Sequence, residues 1–177
     1  MLVQRPATIR HILAAMIRRF EFFKAAGLAA MFLIVARPVD AAGLPNHFGE
    51  QVESALTCES EWSTEWWRGY FQHYLGKPLR TWGEAEWYDA KNAQLAGNTA
   101  TEVFVNVPGS GAMMVGALIP TPVDKVKKQL ESTLNIQFVQ LAGPYPRYLS
   151  KFGSVLVGLS NNQTKWYCAR WNLGNRP

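Results

Sequence analysis

Three acidic residues stand close together near the middle of the chain: Glu84, Glu86 and Asp89. Two carboxylates that flank a substrate at a fixed separation can cleave a glycosidic bond, one as acid and one as base or nucleophile. Here they sit in a stretch, Leu79 to Tyr88, that alternates Trp82/Glu84/Glu86/Tyr88 against Thr81/Gly83/Ala85/Trp87. That alternation is the pattern of an antiparallel strand with one wet face, where paired acids need no catalytic explanation. His47 and His73 lack local metal-ligand spacing. Ser150-Lys151 and Ser154 form no nucleophile motif. Gly109-Ser110-Gly111 lies between two predicted strands and lacks the phosphate-loop and dinucleotide patterns, so it reads as a hairpin turn suited to entering a partner's cleft. The expectation is therefore no catalytic residue, no metal and no cofactor.

The cysteines point to a compartment. Cys58 and Cys168 are the only two, without a CxxC partner or an adjacent His. In an exported chain an isolated pair is most simply a disulfide, here one that closes nearly the whole domain. A reactive thiol is the competing reading.

Aromatic residues supply the most unusual feature. Trp62, Trp66, Trp67, Tyr70, Phe71 and Tyr74 crowd one predicted helix. Spacings 62/66/70 and 67/71/74 define two adjacent stripes, more than one helix needs to cover a sheet. Phe71 has no polar tip, so 67/71/74 is the better core stripe. Trp62, Trp66 and Tyr70 are then candidates for an exposed surface that recognises a protein or stacks on sugar rings. Lys125 and Lys128, flanked by Lys127, form a charged helix face that serves solubility or docks an acidic partner. Asn162-Gln163-Thr164 matches the glycosylation triplet at a hairpin tip, a pattern common by chance.

The chain of 177 residues carries 18 basic and 13 acidic side chains, a formal charge of +5. Arg18, Arg19 and Lys24 precede an apolar run from Ala25 to Ala36, followed by Arg37-Pro38 and Val39-Asp40-Ala41. A basic segment, a short apolar core and a small-residue cleavage site describe a signal peptide over residues 1–41, with translation starting at Met1 or Met16. The apolar run is too short for a confident membrane span, and an uncleaved anchor or a buried helix are the alternatives. The leader takes six basic and two acidic residues with it, which leaves 12 against 11 in residues 42–177. The case for a nucleic-acid partner goes with it.

The elements that must position these residues follow from periodicity. Helices are expected over Phe48–Thr57, over Glu61–Leu75 with Ser60 as N-cap, and from Thr121-Pro122 to about Leu134 with Val123, Val126, Leu130 and Leu134 as its buried stripe. Strands are expected over 79–88, 101–107, 112–119, 136–141, 154–159 and 165–171. Hairpins without βαβ alternation predict a single α+β domain, a two-layer sandwich of about six largely antiparallel strands under three helices, closed by one disulfide. With no catalytic constellation, the expected function is a small periplasmic or secreted binding protein without an integral span. An inhibitor or immunity-type protein that blocks an envelope-acting enzyme or toxin leads. A cell-envelope assembly or peptidoglycan-binding factor is the alternative, and a hydrolase assembled from His73, Glu84, Glu86 and Ser110 is a third class.

Overall fold

The computed structural model describes residues 43–171. The predicted leader, residues 1–41, lies outside the described residues, as does the tail after Trp171. Two helices open the fold, α1 (Phe48–Leu56) and α2 (Thr64–Leu75). Six strands follow: β1 (Arg80–Trp82), β2 (Ala85–Asp89), β3 (Gln94–Leu95), β4 (Asn98–Thr99), β5 (Glu102–Asn106) and β6 (Ala112–Ile119). Helix α3 (Val123–Leu134) precedes β7 (Phe138–Leu141), β8 (Arg147–Ser150), β9 (Ser154–Gly158) and β10 (Thr164–Trp171). Eight strands form one antiparallel sheet in the order β1-β2-β5-β6-β10-β9-β8-β7, and β3-β4 form a small separate hairpin.

The α+β class, the three helices and the disulfide match the sequence reading; the strand count of about six does not. One error is the stretch 79–88. Gly83 and Glu84 both take positive φ, 59° and 60°, so a two-residue turn folds the predicted single strand into the β1-β2 hairpin. Such turns require the left-handed region at both central positions, which Gly fills without strain. The second miss is β8, four residues between Pro146 and Lys151. Two helix starts also move. Ser63, not Ser60, caps α2, its hydroxyl accepting from the Trp66 N–H at 3.2 Å. Ser60 is buried, with its N–H bound to the Ser54 carbonyl at the end of α1. At α3 the flanking residue is Pro122 without a side-chain cap, and Thr121 gives its carbonyl to the Thr164 hydroxyl at 2.6 Å.

All three helices cover the same sheet face. Phe48, Val52 and Leu56 of α1, Trp67 and Phe71 of α2, and Val126 and Leu130 of α3 meet Val103, Val115, Ala117, Leu156 and Trp166 in one core. Trp67 and Phe71 are fully buried, each worth about 2–3 kcal/mol of transfer free energy. The core stripe inferred from spacing thus holds at Trp67 and Phe71, while Tyr74, its third member, is only half-buried. Cys58 and Cys168 form the disulfide across a separation of 110 residues, tying the end of α1 to the middle of β10. Cys58 follows the α1 C-cap at φ 68° and its carbonyl accepts from the Arg170 guanidinium. Among the described residues no helix is long and apolar enough to cross a membrane.

Candidate functional site

The sheet has a second face, and no described helix packs on it. In antiparallel pairs, residues directly opposite share a face. The register therefore lays one row across all eight strands: Arg80, Trp87, Phe104 and Gly116, then Tyr167, Val155, Leu149 and Val139. A parallel row runs Asp89, Glu102, Leu118, Lys165, Val157, Arg147, Leu141.

The two halves of this face differ. Near β2 and β5 a small apolar cluster forms from Ala85, Trp87 and Phe104, with Met114, Leu118 and Tyr167 around it. Trp87 stacks on Phe104 at 4.4 Å and donates its indole N–H to the Trp82 carbonyl at 3.1 Å. The far edge of the Phe104 ring reaches over Gly116, where a Cβ would come within 1.9 Å of ring carbon Cζ. Glycine is the only residue that lets this ring reach the sheet. Toward β7 the face stays open: Val139 is 69% exposed, Leu149 is exposed, and Val155 and Val157 are half-buried.

Lys165 projects over the small cluster. Its Nζ lies 4.5 Å from the Phe104 ring centroid and 5.5 Å from those of Trp87 and Tyr167. Burial among these rings pulls its pKa below the ordinary lysine value. The three salt bridges among the described residues are Arg68–Glu86, Arg80–Glu102 and Lys127–Glu131, so Lys165 is not in one, and neither is Arg147. Burial raises the Tyr167 pKa, while the positive charge of Arg147 pulls it the other way.

The residues singled out from sequence are distributed differently. Trp62, Trp66 and Tyr70 stack in one column that ends on Phe48, with centroid spacings of 4.8, 5.0 and 5.6 Å and interplanar angles of 15–16°. The faces of Trp66 and Tyr70 are thus occupied by other rings, and only the outer face of Trp62, 50% exposed, is open. Burial pushes the Tyr70 hydroxyl up to about 12, and neither it nor the Trp67 indole N–H finds a hydrogen-bond partner. Ser110 sits in the β5-β6 turn, its hydroxyl accepting from the Asn106 amide and donating to the Ala112 carbonyl at 3.3 Å. Lys125 and Lys128 are exposed on α3, away from the sheet.

The residues named for a hydrolase each have their own surroundings. Glu84 is an exposed turn residue, while Glu86 faces the helices and is bound by Arg68 through two hydrogen bonds of 2.7 and 3.0 Å and by the Tyr88 hydroxyl at 2.6 Å. The expectation that the two glutamates share a strand face is therefore wrong, because the turn intervenes. The Arg68 hydrogen bonds hold the Glu86 carboxyl below the usual range, against the opposing effect of burial. His73 is exposed on α2. Among the described residues no group of three or more His, Cys, Asp or Glu could hold a metal. One cleft of ≈ 300 Å³ beside α1 contains Lys91, and another of ≈ 250 Å³ beside α3 contains Asp124 and Tyr145; neither gathers an acid–base pair.

The chain matches no protein-family model, no curated protein and no solved structure.

Sequence reading missed Lys165, Arg147, Trp82, Trp87 and Phe104 as a set. The one signal available was the alternation Lys165/Tyr167/Ala169/Trp171 in the last strand, which places a lysine and two aromatics on a single face.

Proposed function

We propose that the protein is an exported binding domain of the inhibitor or immunity type, which blocks an envelope-acting enzyme or toxin by docking the open face of its sheet. The observation that carries this reading is the strip from Tyr167 through Val155 and Leu149 to Val139, apolar and uncovered by any described helix. Contiguous exposed apolar surface rimmed by polar residues marks interaction sites on soluble proteins. Export is supported by the Cys58–Cys168 disulfide and by the leader-like segment before Gly43.

A peptidoglycan-binding accessory role is the second reading, and the open outer ring of Trp62 favours it. The stacked column reduces the platform available to a sugar from three rings to one.

Capture from the envelope fraction tests the first reading. The wild-type chain should retain one stoichiometric protein whose enzymatic activity falls when the purified domain is added back. Leu149→Asp should lose that partner, because it places a charge in the middle of the apolar strip. Binding to purified peptidoglycan with no protein partner would replace the inhibitor reading with the wall-binding one.

A further inference from the structure

We infer that Lys165 is the anchor point for a carboxylate of the docked partner, an aspartate or glutamate set among apolar side chains. The inference rests on the reading of the open sheet face as the docking surface, and it specifies what must land there.

The charge pattern of the face supplies the argument. Its two acids are already committed: Glu102 holds Arg80 through hydrogen bonds of 2.6 and 3.0 Å, and Asp89 accepts from the Lys91 backbone N–H at 2.8 Å. Its remaining cations, Lys165 and Arg147, flank Val157 on neighbouring strands and belong to no salt bridge among the described residues. The face therefore presents apolar surface with uncompensated positive charge in its middle.

Among the described residues, ring faces are what stabilise the Lys165 ammonium, and the half-buried side chain leaves part of it open to water. A partner seated over Val155, Val157 and Tyr167 removes that water. An apolar or basic partner would leave a buried, unpaired ammonium, which is strongly unfavourable. A carboxylate satisfies it, and exclusion of water by the apolar strip strengthens the pair. Neutral sugar hydroxyls compensate less well, so the face selects an acidic protein surface over a glycan.

The test uses the purified chain and a minimal probe, phenylpropionate, beside its neutral isostere phenylpropionamide. Nuclear magnetic resonance titration should show shifts at the Lys165 side-chain methylene next to Nζ and at the Trp87 indole N–H. The acid should bind at least about tenfold more tightly than the amide. Lys165→Met should abolish that preference and Lys165→Arg should keep it. Equal response to acid and amide, no response at Lys165, or an unchanged preference in Lys165→Met overturns the anchor. The envelope capture separates the two claims. Acid preference with no captured protein retains the anchor and removes the inhibitor reading. One partner held equally by wild type and Lys165→Glu retains that reading and removes the anchor.

Discussion

The two faces of the sheet solve the problem of a charged group among aromatics in opposite ways. On the helix side, Glu86 is nearly buried beside the aromatic core, yet Arg68 and the Tyr88 hydroxyl take both carboxylate oxygens. On the open side, Lys165 lies over Phe104, Trp87 and Tyr167 with ring faces as its neighbours and no described carboxylate on it. A closed polar set is what a core needs, because each unmet buried group costs stability. An unclosed one is what a recognition surface has before its partner arrives. The helix face thus reads as architecture, and the open face is the one proposed to dock a partner.

Removing the link between α1 and β10 strikes the closed face hardest. In a chain-entropy model, a loop of this length is worth about 4–5 kcal/mol. Replacing both cysteines, Cys58→Ser with Cys168→Ser, should lower the urea midpoint by that amount divided by the denaturant slope. Unfolding should stay a single transition, since α1 and β10 share one core. A helix layer that melts before the sheet would break the contrast, because the closed face would then be the weaker of the two.

Arg68→Met comes next, with an expected loss of about 2–4 kcal/mol near neutral pH. The range lies at the lower end for a broken buried pair, since the Arg68 side chain keeps 30% exposure. The pH dependence carries the sign. The folded Glu86 pKa is depressed, so its stabilisation is present above the unfolded carboxylate value and is lost as pH falls through the lower folded one. In Arg68→Met burial dominates and Glu86 prefers its proton. The deficit of the variant should therefore shrink on acidification from about pH 7 to about pH 3, measured by urea unfolding at each pH. A constant deficit would place the contribution of Arg68 in packing of its stem instead of in the ion pair.

Much of the closed face was legible in the sequence, and little of the open one. Phe48, Val52, Ala55 and Leu56 recur at helical spacing and do bury together, and β6 occupies the predicted span from Ala112 to Ile119. The disulfide was legible from two isolated cysteines together with the expectation of export. By contrast, alternation through Trp82, Glu84 and Glu86 survives a two-residue turn unchanged to the eye, so the β1-β2 hairpin hid inside a strand pattern. Strand β8 is four residues long, too short for a periodicity to show. Which side the helices take is not local information at all. Neither is the lack of an ion-pair partner for Lys165 among the described residues: Glu102 is drawn to Arg80 across β2, and that choice exists only once the strands are in register.

The smallest effects sharpen the contrast most directly, because they concern one group on each face. Lys165→Met keeps the stem over Phe104 and removes a poorly hydrated charge, so it should raise stability by up to about 1 kcal/mol while it abolishes acid recognition. The folded pKa of this lysine is depressed, so the cost of its charge is present at neutral pH and is relieved as pH rises through the folded value. The advantage of the methionine variant should fade at alkaline pH in thermal melts. Tyr70→Phe is the counterpart inside the aromatic column. Its hydroxyl is buried without a partner, while its ring is held between Trp66 and Phe48. Deleting the oxygen should leave the stack intact and stabilise the fold by about 0.5–1 kcal/mol, with no change in binding of phenylpropionate. A loss of binding in Tyr70→Phe would move recognition from the sheet face to the helix column, and with it the division of labour between the two.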